Sequence, residues 1–240
     1  MSYEKFFRQE MKELGWCPGC GLHSIFRDIC DVFNGINEEI VVISGIGCTG
    51  RAAGYFNLDS IHGLHGRAIP LAVGIKMANP ELKVVVISGD GDLLGIGMNH
   101  LIHSARRNDN ITVICNYNEV FAMTGGQVSP TTKEDAITLT TPKGNLYQPI
   151  IIQGILLSNK KHFYGRTSYV FREHLKKTLK EALNHKGFSF VEIYSPCIIN
   201  YSNKIGKSAA DVFKEINKEY KITENNHPLK DNELGIIKNE

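Results

Sequence analysis

The sequence predicts an α/β chain built on an open, mostly parallel sheet with helices on both faces. Three observations carry this. Four short runs, residues 40–44, 84–87, 111–115 and 188–193, are dense in Val, Ile and Phe, the composition of strands covered on both sides. Between them lie stretches whose apolar residues recur at helical spacing. Two of the runs end in glycine-rich turns, where backbone can come close to a ligand.

Taken in order, residues 1–14 read as helical, with Phe6, Phe7 and Met11 available to dock. A helix over 23–33 buries Ile25, Ile29, Val32 and Phe33, and residues 40–44 form the first strand. Gly45-Ile46-Gly47-Cys48-Thr49-Gly50 is then an open loop at the strand end, where ligands bind in such sheets. Ala68, Ala72, Gly74 and Ala78 suit a closely packed helix over 67–77 that Pro80 ends. Leu94, Met98, Leu101, Ile102 and Ala105 mark a helix over 93–107. The irregular stretch 116–145 has a length that points to function or to a covering partner. A short helix at 149–157, a short strand at 167–170, an amphipathic helix at 171–185 and the last strand follow. Beyond residue 203 the composition turns to Asn, Lys and Glu, with one amphipathic piece at 209–220 before a mobile tail. The expected division is a domain over 1–202 and an extension over 203–240, partly disordered or used for docking a subunit.

The 240 residues carry 27 Lys and Arg against 25 Asp and Glu, a formal charge of +2, and the basic residues are scattered. That balance argues against nucleic acid. No apolar run approaches the roughly 20 residues of a membrane span. The start, Met1-Ser2-Tyr3-Glu4-Lys5, lacks the apolar core of a signal peptide, so the expected compartment is the cytoplasm. Six cysteines then read as metal ligands or core residues rather than disulfides.

The chemistry concentrates at Gly89-Asp90-Gly91-Asp92. A strand opening into a helix N-terminus suits an anion, yet two carboxylates would repel a bare phosphate. A divalent cation between carboxylate and phosphate oxygens resolves the conflict. A dinucleotide fingerprint fits poorly, because Leu94 stands where a third glycine belongs. The 111–115 strand delivers Asn116 and Asn118 to the same sheet edge. Asp90 and Asn118 offer oxygen ligands, a main-chain carbonyl near Val120 another, and a diphosphate the remainder. The competing readings are a helix cap for Asp90 and turn formers for the asparagines.

Cys17 and Cys20 have the spacing to grip one metal centre, and alone they leave a zinc knuckle, a redox pair and an iron-sulfur cluster open. No second Cys-x-x-Cys completes a zinc ribbon. Cys48 and Cys197 each follow a predicted strand at the edge where these loops gather, and four thiolates suit a [4Fe-4S] cluster. Cys30 and Cys115 read as small hydrophobes, and His65 is open between a core histidine and a ligand contact.

Five segments, in order, resemble the β subunit of the 2-oxoacid:ferredoxin oxidoreductases, most of all the 2-oxoglutarate-type (KorB-like) branch. They are Trp16-Cys17-Pro18-Gly19-Cys20-Gly21, Ser44-Gly45-Ile46-Gly47-Cys48, His65-Gly66-Arg67-Ala68, Gly89-Asp90-Gly91-Asp92, and Met123-Thr124-Gly125-Gly126-Gln127 with Ser129-Pro130-Thr131. The resemblance implies a thiamine diphosphate-binding domain of the diphosphate-holding type. Around the cofactor it implies Gly45, Ile46, Gly47, Cys48, His65, Gly89, Asp90, Gly91, Asp92, Asn116, Asn118, Val120, Met123 and Thr124. It implies Mg²⁺ on Asp90, Asn118 and Val120, and a [4Fe-4S] cluster on Cys17, Cys20, Cys48 and Cys197. Arg51 is expected to face the substrate carboxylate.

The implied reaction is coenzyme A-dependent oxidative decarboxylation of a 2-oxoacid, 2-oxoglutarate to succinyl-CoA foremost, with electrons passed to ferredoxin. A thiamine enzyme needs a glutamate against the cofactor's aminopyrimidine, and no glutamate here sits in a fitting motif. In relatives an α subunit with a pyrimidine-binding domain supplies it, and further γ and δ subunits are implied where the complex is larger. The chain alone is therefore expected to be inactive. Two rivals stay open: half of a non-oxidative thiamine diphosphate-dependent 2-oxoacid decarboxylase, and a non-catalytic metal-binding interaction module.

Overall fold

A computed structural model describes residues 2–11, 13–224 and 226–239. The strands are β1 (Ile40–Ser44), β2 (Asp59–His62), β3 (Lys83–Gly89), β4 (Thr112–Tyr117), β5 (Val120–Phe121), β6 (Gln127–Val128), β7 (His162–Ser168), β8 (Ser189–Tyr194), β9 (Lys221–Ile222) and β10 (Glu233–Asn239). The helices are α1 (Leu22–Phe33), α2 (Ala52–Tyr55), α3 (Ala68–Ala78), α4 (Met98–Arg107), α5 (Ile152–Leu157), α6 (Arg172–Asn184) and α7 (Ala209–Glu219). Eight strands form one sheet in the order β2-β1-β3-β4-β8-β7-β10-β9, parallel except where β10 meets β7. A small hairpin of β5 and β6 stands apart.

The sheet is covered on both faces because its strands present apolar side chains to both. Val85, Ile87, Ile114, Val191 and Ile193 pack under α1 and α6. Their neighbours Val84, Val86, Val113, Cys115 and Phe190 pack under α3, α4 and α5. Each fully buried Val, Leu or Ile contributes about 1.5–3 kcal/mol. The period-two alternation sets function as well: Asn116 and Tyr117, adjacent at the end of β4, must point to opposite faces.

The chain leaves β1 for β2 on one side and crosses back to β3 on the other. Connections diverging from β1 open a crevice above the strand ends. Because β1, β3, β4 and β8 run parallel, the loops after all four open at that same edge.

The structure departs from the sequence expectations in five places, one being that the short strand expected at 167–170 is the longer β7 over His162–Ser168, whose apolar signal Gly165 and Arg166 break. The expected helix over 93–107 is interrupted. Gly91–Ile96 forms a wide turn closed by Gly97 N donating to Asp92 O at 2.9 Å, Gly95 lies outside helical dihedrals, and α4 starts only at Met98. The first residues form one short 3-10 turn, Ser2–Phe6, rather than a long helix; Phe6 and Phe7 do dock, on Phe33 and Phe26, while Met11 is exposed. The β2 strand was not anticipated, since Asp59-Ser60-Ile61-His62 has little apolar signal and lies at a sheet edge. The expected mobile tail is instead partly in the sheet. Residues 235–239 pair with β7, Leu234 and Ile237 are buried, and Gln153 exchanges hydrogen bonds with the Leu229 backbone at 3.0 and 3.2 Å.

Candidate active site

The loops after β1, β3, β4 and β8 enclose two adjoining cavities. One, of about 130 Å³, is lined by Ile46, Gly47, Cys48, Thr49, His65, the Gly89–Asp92 turn, Asn118 and residues 120–124. The other, of about 190 Å³, is lined by Cys17, Cys20, Cys48 and Cys197 together with Trp16, Arg51, Asn116, Asn118 and Met123. Cys48, Asn118, Ala122 and Met123 belong to both walls.

Asp90 is the anchor of the first cavity. It is wholly buried; Oδ1 accepts from Gly91 N at 2.9 Å, and Oδ2 from Asn118 N at 3.1 Å, Glu119 N at 2.8 Å and the Thr131 hydroxyl at 2.6 Å. Burial pushes its carboxyl up to about 6, against those hydrogen bonds, which favour the charged form. A cation beside it would relieve the burial penalty, so the donor set is suited to one. Asn118 Oδ1 accepts from Val120 N at 3.1 Å, which closes a tight turn beside Asp90. No side chain fits at Gly91, because a Cβ there would lie 2.6 Å from the Phe121 ring.

Asp92 serves differently. Its Oδ1 accepts from Ile46 N at 3.1 Å and Gly66 N at 2.8 Å and lies 2.5 Å from His65 Nδ1, while Oδ2 accepts from the Ser88 hydroxyl at 2.9 Å. Both oxygens are thus engaged in joining three loops. His65, half-exposed, is held with its ring at the cavity wall.

Two buried polar atoms here have no protein partner, the Thr49 hydroxyl and Asn116 Oδ1. Buried polar atoms are seldom left unpaired in a native fold. Thr49 lines the first cavity and Asn116 the second. The sequence reading did not single out Thr49 or Thr131; each is an ordinary loop threonine until the fold places it, although Thr131 lies in a segment quoted for the family resemblance.

In the second cavity three of the thiols are held above the usual thiol pKa. Burial pushes Cys20 up to about 11, with Cys197, Cys48 and Cys17 adding to it. Cys48 and Cys197 are raised for the same two reasons. Such thiols ionise only when positive charge is brought to them. Cys197 Sγ accepts from Asn200 N at 3.3 Å, and Trp16 Nε1 donates to Cys48 O at 2.7 Å. Among the described residues no three His, Cys, Asp or Glu side chains lie close enough to share a single ion. Arg51 stands at the rim, with Nη1 donating to Gly15 O at 2.5 Å. Cys30 and Cys115 are wholly buried in the core, away from both cavities.

Residues 45–193 match the family described as thiamine pyrophosphate enzyme, C-terminal TPP binding domain. The 2-oxoglutarate synthase subunit KorB of Archaeoglobus fulgidus is 36% identical, over 99% of this chain and 89% of that protein. That of Methanothermobacter thermautotrophicus is 41% identical over 84% and 72%. Among solved structures, the 2-oxoglutarate:ferredoxin oxidoreductase from Magnetococcus marinus, with 2-oxoglutarate, coenzyme A and succinyl-CoA bound, superposes with a TM-score of 0.87. It is 27% identical and covers 100% of this chain and 85% of that one. With the fold, the strand-end site and these likenesses in agreement, the chain belongs to the family of 2-oxoacid:ferredoxin oxidoreductase β subunits.

Proposed function

We propose that this subunit holds thiamine diphosphate, Mg²⁺ and a [4Fe-4S] cluster for the coenzyme A-dependent oxidation of a 2-oxoacid, 2-oxoglutarate to succinyl-CoA foremost, with ferredoxin as electron acceptor. The observation that carries it is the shared wall. A cavity built on Asp90 and Asn118 adjoins a cavity ringed by four thiols, and Cys48 and Met123 line both. Bound there, thiamine diphosphate supplies a nucleophilic carbon and an electron sink for decarboxylation, and the cluster supplies a one-electron acceptor.

The chain's own residues then have separate tasks. Asp90, Asn118 and the Val120 carbonyl hold Mg²⁺, and the Thr49 hydroxyl and the Gly45–Cys48 loop face the diphosphate. Asp92 orients His65 and fixes the loops. Cys17, Cys20, Cys48 and Cys197 hold the cluster. The likeness to a 2-oxoglutarate synthase subunit and to a solved 2-oxoglutarate:ferredoxin oxidoreductase favours the cluster over the zinc of a non-oxidative decarboxylase half. Arg51, at the rim, is the basic residue proposed to meet a substrate carboxylate.

Neither cavity is lined by a glutamate, so the base that activates the cofactor comes from an α subunit's pyrimidine-binding domain, and the chain alone is inactive. The likeness to 2-oxoglutarate synthase subunits, and to a solved enzyme with 2-oxoglutarate and succinyl-CoA bound, supports that substrate. The free thiols accord with a reducing cytoplasm. Among the described residues no helix is long and apolar enough to cross a membrane.

The test is the assembled complex purified without oxygen. Broad visible absorption that bleaches on reduction is expected, and Cys197→Ser should lower both absorption and iron content. Mg²⁺ with thiamine diphosphate should raise the thermal midpoint of the parent and not of Asp90→Ala. A colourless, iron-free complex would favour the non-oxidative rival.

A further inference from the structure

Glu119 stands between Asn118 and Val120, yet its side chain lines neither cofactor cavity. It faces a third cavity of about 450 Å³, shared with Tyr117, Lys133, Arg166, Glu192 and Tyr194. Glu119 has φ +70°, in the left-handed region that disfavours residues other than glycine and asparagine. A buried glutamate in that conformation persists only where its surroundings over-determine it.

They do so at every polar group. Its N–H donates to Asp90 Oδ2 at 2.8 Å, and its carbonyl accepts from the Thr132 hydroxyl at 2.5 Å. Its carboxylate lies 3.2 Å from Lys133 Nζ, which also donates to the Tyr194 hydroxyl at 3.1 Å. Thr131, in the same run, reaches Asp90. Asn145 secures that run from behind, donating to the Thr132 and Lys133 carbonyls at 3.0 and 3.2 Å.

We propose that the Glu119–Lys133 ion pair is a positioning strut for the metal-binding peptide. Neither side chain of the pair lines a cofactor cavity. It pulls residue 119 toward the far cavity, and the resulting left-handed turn leaves Asn118 and Val120 beside Asp90. The inference rests on the reading of Asp90, Asn118 and Val120 as the Mg²⁺ site, and it gives the strained turn a function that reading alone does not.

The experiment titrates Mg²⁺ into the cofactor-stripped assembled complex at fixed thiamine diphosphate and follows the heat of binding. Glu119→Gln and Lys133→Met are compared with Lys133→Arg, which keeps the charge. The first two are expected to raise the Mg²⁺ needed for half-saturation by roughly 10- to 100-fold, the usual effect of losing an outer-shell partner. Lys133→Arg should titrate with the parent, and the cluster's visible spectrum should be unchanged in all. If Glu119→Gln does not assemble, Lys133→Met, altered at the exposed end of the pair, carries the test. Variants that match the parent overturn the strut, as does equal weakening in Lys133→Arg and Lys133→Met. A parent that takes up no Mg²⁺ with thiamine diphosphate instead overturns the underlying site reading.

Discussion

Asp92 gives the sharpest forecast. Its carboxylate receives four donors, from Ile46, His65, Gly66 and Ser88, and replacing it with alanine strands them all. Their fates differ. Ile46 and His65 are exposed enough for water to replace the lost acceptor, whereas Gly66 and Ser88 are buried and stay unsatisfied. Each buried orphan costs about 1–3 kcal/mol, so the two together cost about 2–6 kcal/mol, and the buried carboxylate's own desolvation penalty, lost with it, brings Asp92→Ala to about 2–4 kcal/mol. Asp92→Asn keeps an oxygen for Ile46, Gly66 and His65, and its amide can donate to Ser88, so only the charge assistance is lost, about 1 kcal/mol.

Amide hydrogen exchange in the assembled complex, read on peptides holding Ile46 and Gly66, measures this at the groups concerned. The alanine variant should exchange far faster at both and the asparagine variant only slightly faster. The cofactor loops should loosen with them, since a Cβ at Gly45 would run into the Asp92 carboxylate, so closely does the β1 loop rest on it. Parent-like protection in Asp92→Ala, or equal loss in both variants, would refute the reasoning.

Two further outcomes follow from the packing. Gly126 has φ +88° and a Cβ there would run into the Asn200 carbonyl oxygen, so Gly126→Ala should lose more than about 2 kcal/mol. Gly154→Ala, in α5 with open space around it, should be neutral or gain about 0.5–1 kcal/mol; thermal midpoints in the reverse order would refute both. Burial, aided by Lys177 and opposed by Glu181, pushes His174 down to about 4, with Nδ1 2.9 Å from the Thr167 hydroxyl. The folded state therefore holds it neutral where the unfolded chain takes a proton, so its contribution is intact above about pH 6.5 and is lost on acidification toward about pH 4, on the order of 3 kcal/mol in all. Urea midpoints compared across that window should show a shallower acid slope in His174→Gln; the same slope in both proteins would refute it.

The sheet was legible where its strands are buried on both faces. Ile40–Ser44 is read without error because five consecutive apolar or small residues have no other use. His162–Ser168 was largely missed, since Gly165 and Arg166 break the apolar signal, and Arg166 is tolerated there because Glu192, Tyr164 and the Lys230 carbonyl satisfy it. Glu233–Asn239 was taken for a tail because its pairing partner, β7, lies some seventy residues upstream and nothing local announces it. The break at Gly95 was invisible to apolar spacing, which Leu94 and Leu101 satisfy on either side of it.

Of the site, the sequence alone determined which chemistry gathers at which strand end. Parallel strands leave their C-terminal loops at one edge, so Asp90, Asn118, Cys48 and Cys197 were brought there by topology. Only the tertiary structure decided how the loops divide the work. It set Asp90 apart from Asp92, sent Asn116 toward the thiols and Asn118 to the shared wall, brought Thr49 and Thr131 into the site, and put Lys133 behind it at the third cavity. The physical reason is that a strand's direction follows from a local apolar pattern, whereas a hydrogen bond from Thr131 to Asp90 spans 41 residues and is fixed by how two loops pack.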